Sequence, residues 1–243
     1  MKLSGKRALV TGAGRGIGAA VARALAAEGA QVVLAARTEA EVESLAHDLH
    51  GESFVCDVGD PDSIAALAAA VGAVDILVNN AGTSSSSPLK GVKLADWNRL
   101  LSVNATGTFL CSQAFLPAML AAGWGRIINI ASVAGLQGAK YITAYCASKH
   151  AMVGFTRALA NEVARAGVTV NAICPGYVNT PMTQASLDRI QAQTGRTREQ
   201  ALEALTATSP QGRLVEPEEV AYLALCLCDP LARSINGQAL VLE

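Results

Sequence analysis

Short apolar runs alternate along this chain with longer stretches of helical composition. The first run, RALVT at residues 7–11, is broken by glycines at 12, 14, 16 and 18. Residues 19–28 have helical composition, and Gly29 ends them. QVVLAA at 31–36 is strand-like. A helix is expected from Thr38, where Thr-Glu-Ala-Glu has the form of a capping box. Residues 53–56, 74–79, 126–131, 168–173 and 239–242 bring the expected strands to about seven, with helices between them.

Strands that are apolar throughout belong in a sheet buried on both faces. Their alternation with helices predicts an α/β fold, one doubly wound parallel sheet with helices on both faces, over residues 1–243. SSSSP at 84–88 is too short to link two domains and is expected to be a loop. Residues 182–210 have a helical pattern broken at Gly195 and are the expected lid.

Composition removes several partners. The net charge is −1 and no Lys/Arg run occurs, so nothing favours nucleic acid or an anionic membrane. The longest apolar run, residues 64–74, falls short of the ~20 residues that span a bilayer. The opening MKLSGKRALVTG lacks the form of a signal peptide. The six cysteines form no CxxC pair, and Cys226 and Cys228 point to different helix faces. They are expected to be reduced thiols in a cytoplasmic protein. His47 and His50 lack a third ligand nearby, so no metal site is expected.

The glycine-rich turn carries the first chemistry. TGAGRGIG at 11–18 lies between a strand and a helix. Glycines permit the sharp turn, and the helix N-terminus offers free N–H groups and a positive dipole end to a pyrophosphate. The dinucleotide pattern fits as Gly14, Gly16 and Ala19, or in the register Gly12, Gly16 and Gly18. An NAD binder is expected to carry a carboxylate at the tip of the second strand. Here that strand ends Ala35-Ala36-Arg37, while Glu39 and Glu41 read as first-turn helix charges. Arg37, with Arg15 from the glycine loop, suits a 2′-phosphate, which predicts NADP(H) as the preferred cofactor with NAD(H) possible.

Seven motifs now stand in order: TGAGRGIG at 11–18, CDV at 56–58, NNAG at 79–82, Asn104 in LSVNATG, IINIAS ending at Ser132, YCASK at 145–149 and CPGYVNT at 174–180. In order and spacing the chain resembles the short-chain dehydrogenase/reductase family over essentially its whole length. The resemblance implies a single Rossmann-like domain and a tetrad of Asn104, Ser132, Tyr145 and Lys149. It also implies that Asn104 holds a water linking the lysine to solvent. Cofactor contacts are expected at Gly12, Gly14, Arg15, Gly16, Ile17, Gly18, Arg37, Asp57, Val58, Asn80, Ala81, Gly82, Tyr145, Lys149, Pro175, Gly176, Val178 and Thr180. Family members often end in an aspartate and glycines after the last strand, whereas this sequence ends Leu242-Glu243, which bears on C-terminal contacts between subunits.

The chemistry of the tetrad follows from residue types. Hydride transfer to a ketone leaves an alkoxide that needs a proton. Tyr145 and Lys149 are i, i+4, so on a helix they share a face, and an ammonium near a phenol is expected to lower its pKa. Tyr141 has Tyr145 at i+4 and no lysine, so it is expected to line the pocket or pack. Ser132 is expected to orient the substrate oxygen. Gln137, Tyr141, Tyr177 and Leu187 join Ser132 and Tyr145 as substrate candidates, with Leu136 beside them.

The expected substrate is a small-molecule ketone or its secondary alcohol: a 3-oxoacyl thioester, a polyketide-like ketone, or a cyclic or aryl ketone. Scarce basic residues before Arg126 favour a CoA-linked or free ketone over one borne by an acidic carrier protein. Helices at 106–122 and 144–165 are apolar on more than one face, and with the resemblance they imply a homotetramer, or else a dimer. The alternatives are an NAD-dependent secondary-alcohol or 3-hydroxyacyl-CoA dehydrogenase, and a non-catalytic dinucleotide sensor, which would have no need of all four tetrad residues.

Overall fold

In the computed structural model, which describes residues 2–207 and 209–243, the strands are β1 (Arg7–Thr11), β2 (Gln31–Ala36), β3 (Glu52–Val55), β4 (Ile76–Asn79), β5 (Gly125–Ile130), β6 (Val168–Pro175) and β7 (Ala239–Leu242). They pair in parallel in the order β3-β2-β1-β4-β5-β6-β7. The helices are α1 (Gly16–Ala27), α2 (Glu39–Leu49), α3 (Pro61–Val71), α4 (Leu94–Leu101), α5 (Gly107–Ala122), α6 (Thr143–Glu162), α7 (Pro181–Thr194), α8 (Arg198–Thr206) and α9 (Pro217–Cys228).

Two cores sandwich the sheet. Ala8 and Val10 of β1 join Val21, Val42 and Val220 from α1, α2 and α9 on one face. Leu9, between them, joins Ile64, Phe115 and Leu159 from α3, α5 and α6 on the other. The strand period of two thus sends neighbouring residues into opposite cores, which is why these strands read as unbroken apolar runs. Each fully buried Val, Leu or Ile contributes about 1.5–3 kcal/mol over its exposed state.

The sheet reverses direction of growth between β1 and β4, so the strand ends at Thr11 and Asn79 open a crevice. Ligands of doubly wound sheets bind at such a point. The expected strands are all present, with ends displaced by one or two residues. β6 runs on to Pro175, which a strand end tolerates.

The segment 94–122 differs from expectation. α4 and α5 join through a π turn, Ser102–Thr106, into one helical stretch of 29 residues with mean hydropathy 1.3 over its most apolar part. By length and composition it is long enough to cross a membrane. A third of that apolar part is buried in this fold, where α5 packs on α3, β4 and β5, and the π turn holds a residue of the site.

Candidate active site

The glycine loop is built for a close backbone approach. Gly12 and Gly16 adopt left-handed φ of 63° and 56°, where a side chain is strained. A Cβ on Gly18 would stand 2.3 Å from the Gly12 carbonyl oxygen. Asn80 anchors the loop: its Nδ2 donates to the carbonyls of Thr11 (2.9 Å) and Gly12 (3.0 Å). Thr11 Oγ1 accepts from the Asn80 and Ala81 N–H groups, both at 3.1 Å. The Asn80 side chain therefore holds the loop rather than facing the cleft.

Arg15 is the N-cap of α1 and makes no side-chain cap bond, and the first turn holds no acidic residue. Its leading N–H groups and positive dipole end suit an anion, so the residues present fit a dinucleotide pyrophosphate. Ile17 packs against the core below, fixing the start of α1. Thr180, the N-cap of α7, brings the 175–180 segment over the loop, its methyl 3.1 Å from a Cβ position on Gly16. Gly176 N–H bonds the Leu242 carbonyl (2.8 Å), and Val178 bridges Val215.

Past β3, Asp57 Oδ1 accepts from Gly59 N–H (2.9 Å), which fixes the turn beside buried Val58. Arg37 is exposed and has no hydrogen bond or ion pair among the described residues. Arg15 has one: its Nη1 lies 3.3 Å from Glu41 Oε1. The capping box expected at Thr38 is absent, since the Thr38 side chain makes no cap bond and the Glu41 carboxylate points to Arg15.

The four tetrad candidates converge where β5 ends. Ser132 follows the strand, and its Oγ accepts from Ala134 N–H (3.1 Å). Its hydroxyl lies near enough to the Tyr145 phenol to favour the phenolate. Lys149, one turn along α6, is buried with Nζ 5.9 Å from the Tyr145 ring centroid. That Nζ donates to the Ile130 carbonyl (2.8 Å). Gly82 borders the group, for a Cβ there would stand 3.3 Å from Asn104 Oδ1 and 3.7 Å from Lys149 Nζ.

Asn104 sits in the π turn, fully buried. Its Oδ1 accepts from Thr83 N–H (2.8 Å), and its Nδ2 donates to the Thr83 carbonyl and to Ser148 Oγ, both at 2.9 Å. This amide is satisfied and ties the chain after Gly82 to α6.

The expected fall in the Tyr145 pKa is not found. Burial pushes it up to about 12, and the Ser132 hydroxyl only partly offsets that. Burial also pushes Lys149 down to about 8. Lys149 is buried and Tyr145 half-buried, and for each the loss of water favours the neutral form. A raised pKa keeps the Tyr145 phenol protonated at neutral pH, the form that donates a proton to an alkoxide.

Two substrate candidates sit differently from what their spacing suggests. Tyr141 lies outside α6, in a left-handed turn with φ 69°, and is 58% exposed. Its carbonyl accepts from Ser87 N–H (2.7 Å), pinning the serine-rich loop to the helix entrance. It is thus not one helical turn before Tyr145. Leu187 is 2% exposed and packs with Ala201 and Leu205, joining α7 to α8 rather than lining the cleft. Tyr177 stands near enough to Tyr145 to raise its pKa, so it does border the site. Gln137 and Leu136 are exposed on the turn after Ser132.

Sequence reasoning missed Thr11, Ser148 and Glu41. Thr11 closes a strand immediately before the glycines, which is the signal that could have found it. It also missed a buried chain beneath the site, in which Asn79 Nδ2 donates to Asn129 Oδ1 (2.9 Å) and Asn129 Nδ2 to Thr156 Oγ1 (2.8 Å). Among the described residues no cluster of His, Cys, Asp and Glu could hold a metal.

Comparison with known proteins agrees with this architecture. The profile of the family described as short chain dehydrogenase matches residues 6–191. A Streptomyces violaceoruber protein, provisionally named ketoacyl reductase 1 of the granaticin polyketide synthase, is 44% identical, covering 96% of this chain and 90% of its own. The 3-oxoacyl-[acyl-carrier-protein] reductase FabG of Vibrio cholerae is 39% identical, covering 99% and 96%. The crystal structure of a phenylalanine-to-tryptophan variant of actinorhodin polyketide ketoreductase with NADPH superposes with a TM-score of 0.94 at 40% identity, covering 100% of this chain and 97% of that one. Matched over most of its length by family profile and by close relatives, the chain belongs to the short chain dehydrogenase family.

Proposed function

We propose that this protein is an NADP(H)-dependent oxidoreductase that reduces a ketone, of the 3-oxoacyl thioester or polyketide-like class, to a secondary alcohol. The observation that carries it is the Tyr145 phenol near Ser132, with Lys149 buried one turn away and the glycine loop of α1 at the same sheet edge. A reduced nicotinamide bound there supplies the hydride. Tyr145 gives its proton to the developing alkoxide, and Ser132 orients that oxygen. Lys149 stands by with its ammonium, while Asn104 holds Thr83 and α6 in register. The relatives named as ketoacyl and 3-oxoacyl reductases support the substrate class. The NADPH in the actinorhodin ketoreductase structure supports the cofactor, as do Arg15 and Arg37, which is unpaired among the described residues.

The test follows the absorbance of NADPH and, separately, NADH over acetoacetyl-CoA, ethyl acetoacetate, an aryl ketone and a decalone. Turnover with NADPH on at least one ketone is expected, with acetoacetyl-CoA and an acetoacetyl carrier protein then compared directly. Cofactor binding without turnover on any ketone, or on alcohols with NADP or NAD, would overturn the enzyme assignment in favour of a sensor.

Assembly into a homotetramer, or a dimer, belongs to the same proposal. Phe109 and Leu120 of α5 are each 42% exposed, and Phe109 meets Phe155 of α6 edge-on at 6.2 Å. These helices thus carry an apolar outer surface suited to a second copy. A cytoplasmic location is supported by six free thiols, five of them buried.

A further inference from the structure

We infer that Glu41 is a specificity-determining residue that competes with the 2′-phosphate of the cofactor for Arg15, and so weakens the preference for NADP(H) over NAD(H). The inference rests on the cofactor proposed above.

Three observations place Glu41 in this role. Its Oε1 lies 3.3 Å from Arg15 Nη1, an ion pair between the glycine loop and the first turn of α2. Its side chain lies against that loop, for a Cβ on Gly14 would stand 2.8 Å from both Glu41 Cβ and Oε2. It also stands at N3 after Thr38, the position from which a capping box would reach back, and its oxygen pairs with Arg15 while the Thr38 side chain makes no cap bond. Of the two arginines expected at a 2′-phosphate, Arg37 is unpaired among the described residues and Arg15 is held by a carboxylate.

The consequence is electrostatic. A 2′-phosphate approaching Arg15 meets a carboxylate already there and must displace it or share the guanidinium with it. A 2′-hydroxyl carries no charge, so NAD(H) leaves the Arg15–Glu41 pair in place. Glu41 therefore acts against one cofactor and is nearly neutral toward the other, which is how specificity is adjusted by an opposing charge.

The experiment measures dissociation constants of NADPH and NADH by nicotinamide fluorescence at low ionic strength, for the wild type, Glu41→Gln, Glu39→Gln, Arg15→Ala and the Arg15→Ala/Glu41→Gln pair. Exposed ion pairs have strengths that convert to roughly two- to five-fold changes in affinity. Glu41→Gln is expected to tighten NADPH by about that factor and leave NADH within about 1.5-fold, the gain fading as salt screens it. Glu39→Gln, on the same first turn and without an ion pair among the described residues, controls for bulk charge and should give a smaller gain. In the Arg15→Ala background Glu41→Gln should give no more than the small Glu39→Gln gain. An unchanged NADPH constant in Glu41→Gln, an equal gain in Glu39→Gln, or a full gain without Arg15 would overturn the inference while leaving the cofactor proposal standing. A wild type that binds NADH more tightly than NADPH would overturn the cofactor proposal itself.

Discussion

Tyr145 and Lys149 are each displaced by burial toward their neutral forms, and this has separate consequences for turnover and for stability. Tyr145→Phe removes the proton donor beside Ser132 and should lower the rate by about 10²–10⁴ while cofactor affinity changes little. Tyr141→Phe, on an exposed turn, should be mild, and steady-state kinetics of both variants check the assignment. Lys149 has a folded pKa of about 8, below the ordinary 10.5. Between those values the unfolded chain holds a proton that the folded one has released, so this group makes stability rise with pH across that window. Below pH 8 the buried ammonium costs about 3 kcal/mol. Lys149→Met should therefore be inactive yet more stable than the wild type at pH 7. Its advantage should shrink toward pH 10, as read by urea unfolding at both values. A variant less stable than the wild type at pH 7 would show that the bond to Ile130 outweighs the burial. The identities of the tetrad were legible in the sequence, because motif spacing fixes which residues meet. The direction of the Tyr145 shift was not, because it depends on how much protein surrounds two groups that lie only one turn apart.

Elements place these residues through contacts that no pattern of apolar positions records. The strand-to-helix turn at 11–18 was legible from its glycines, but the reason Gly18 must be glycine lies in the returning Gly12 carbonyl and the Asn80 amide. Gly18→Ala would put a methyl 2.3 Å from that carbonyl and 2.5 Å from Asn80 Nδ2. The forced shift should destabilise the protein by about 1–3 kcal/mol and weaken dinucleotide binding at least tenfold, as read by thermal melts and fluorescence titration. A fully stable Gly18→Ala variant with unchanged affinity would contradict the loop geometry. Leu187 shows the converse limit. Its helix was legible, but which face met α8 and which met the cleft was set by the pairing of α7 with α8.

The whole molecule was the most legible level, since continuous apolar strands between helices leave few arrangements besides a parallel sheet covered on both faces. The proposed assembly rests on an excess of apolar surface. Phe109→Asp, on the outer side of α5, should shift the protein to a smaller species in light scattering with little loss of monomer stability, because that side chain is already 42% exposed. An unchanged mass would remove α5 from the interface. The same helix has a further consequence. A π turn adds a residue to what would otherwise be one regular spiral, and each residue advances the spiral by about 100°. The halves on either side of Asn104 are therefore phased independently: α4 keeps one rotational setting and α5 another. Variation in length at residues 102–106 would turn the outer surface of α5 relative to the candidate cleft, so this turn sets how the proposed interface is oriented to the site.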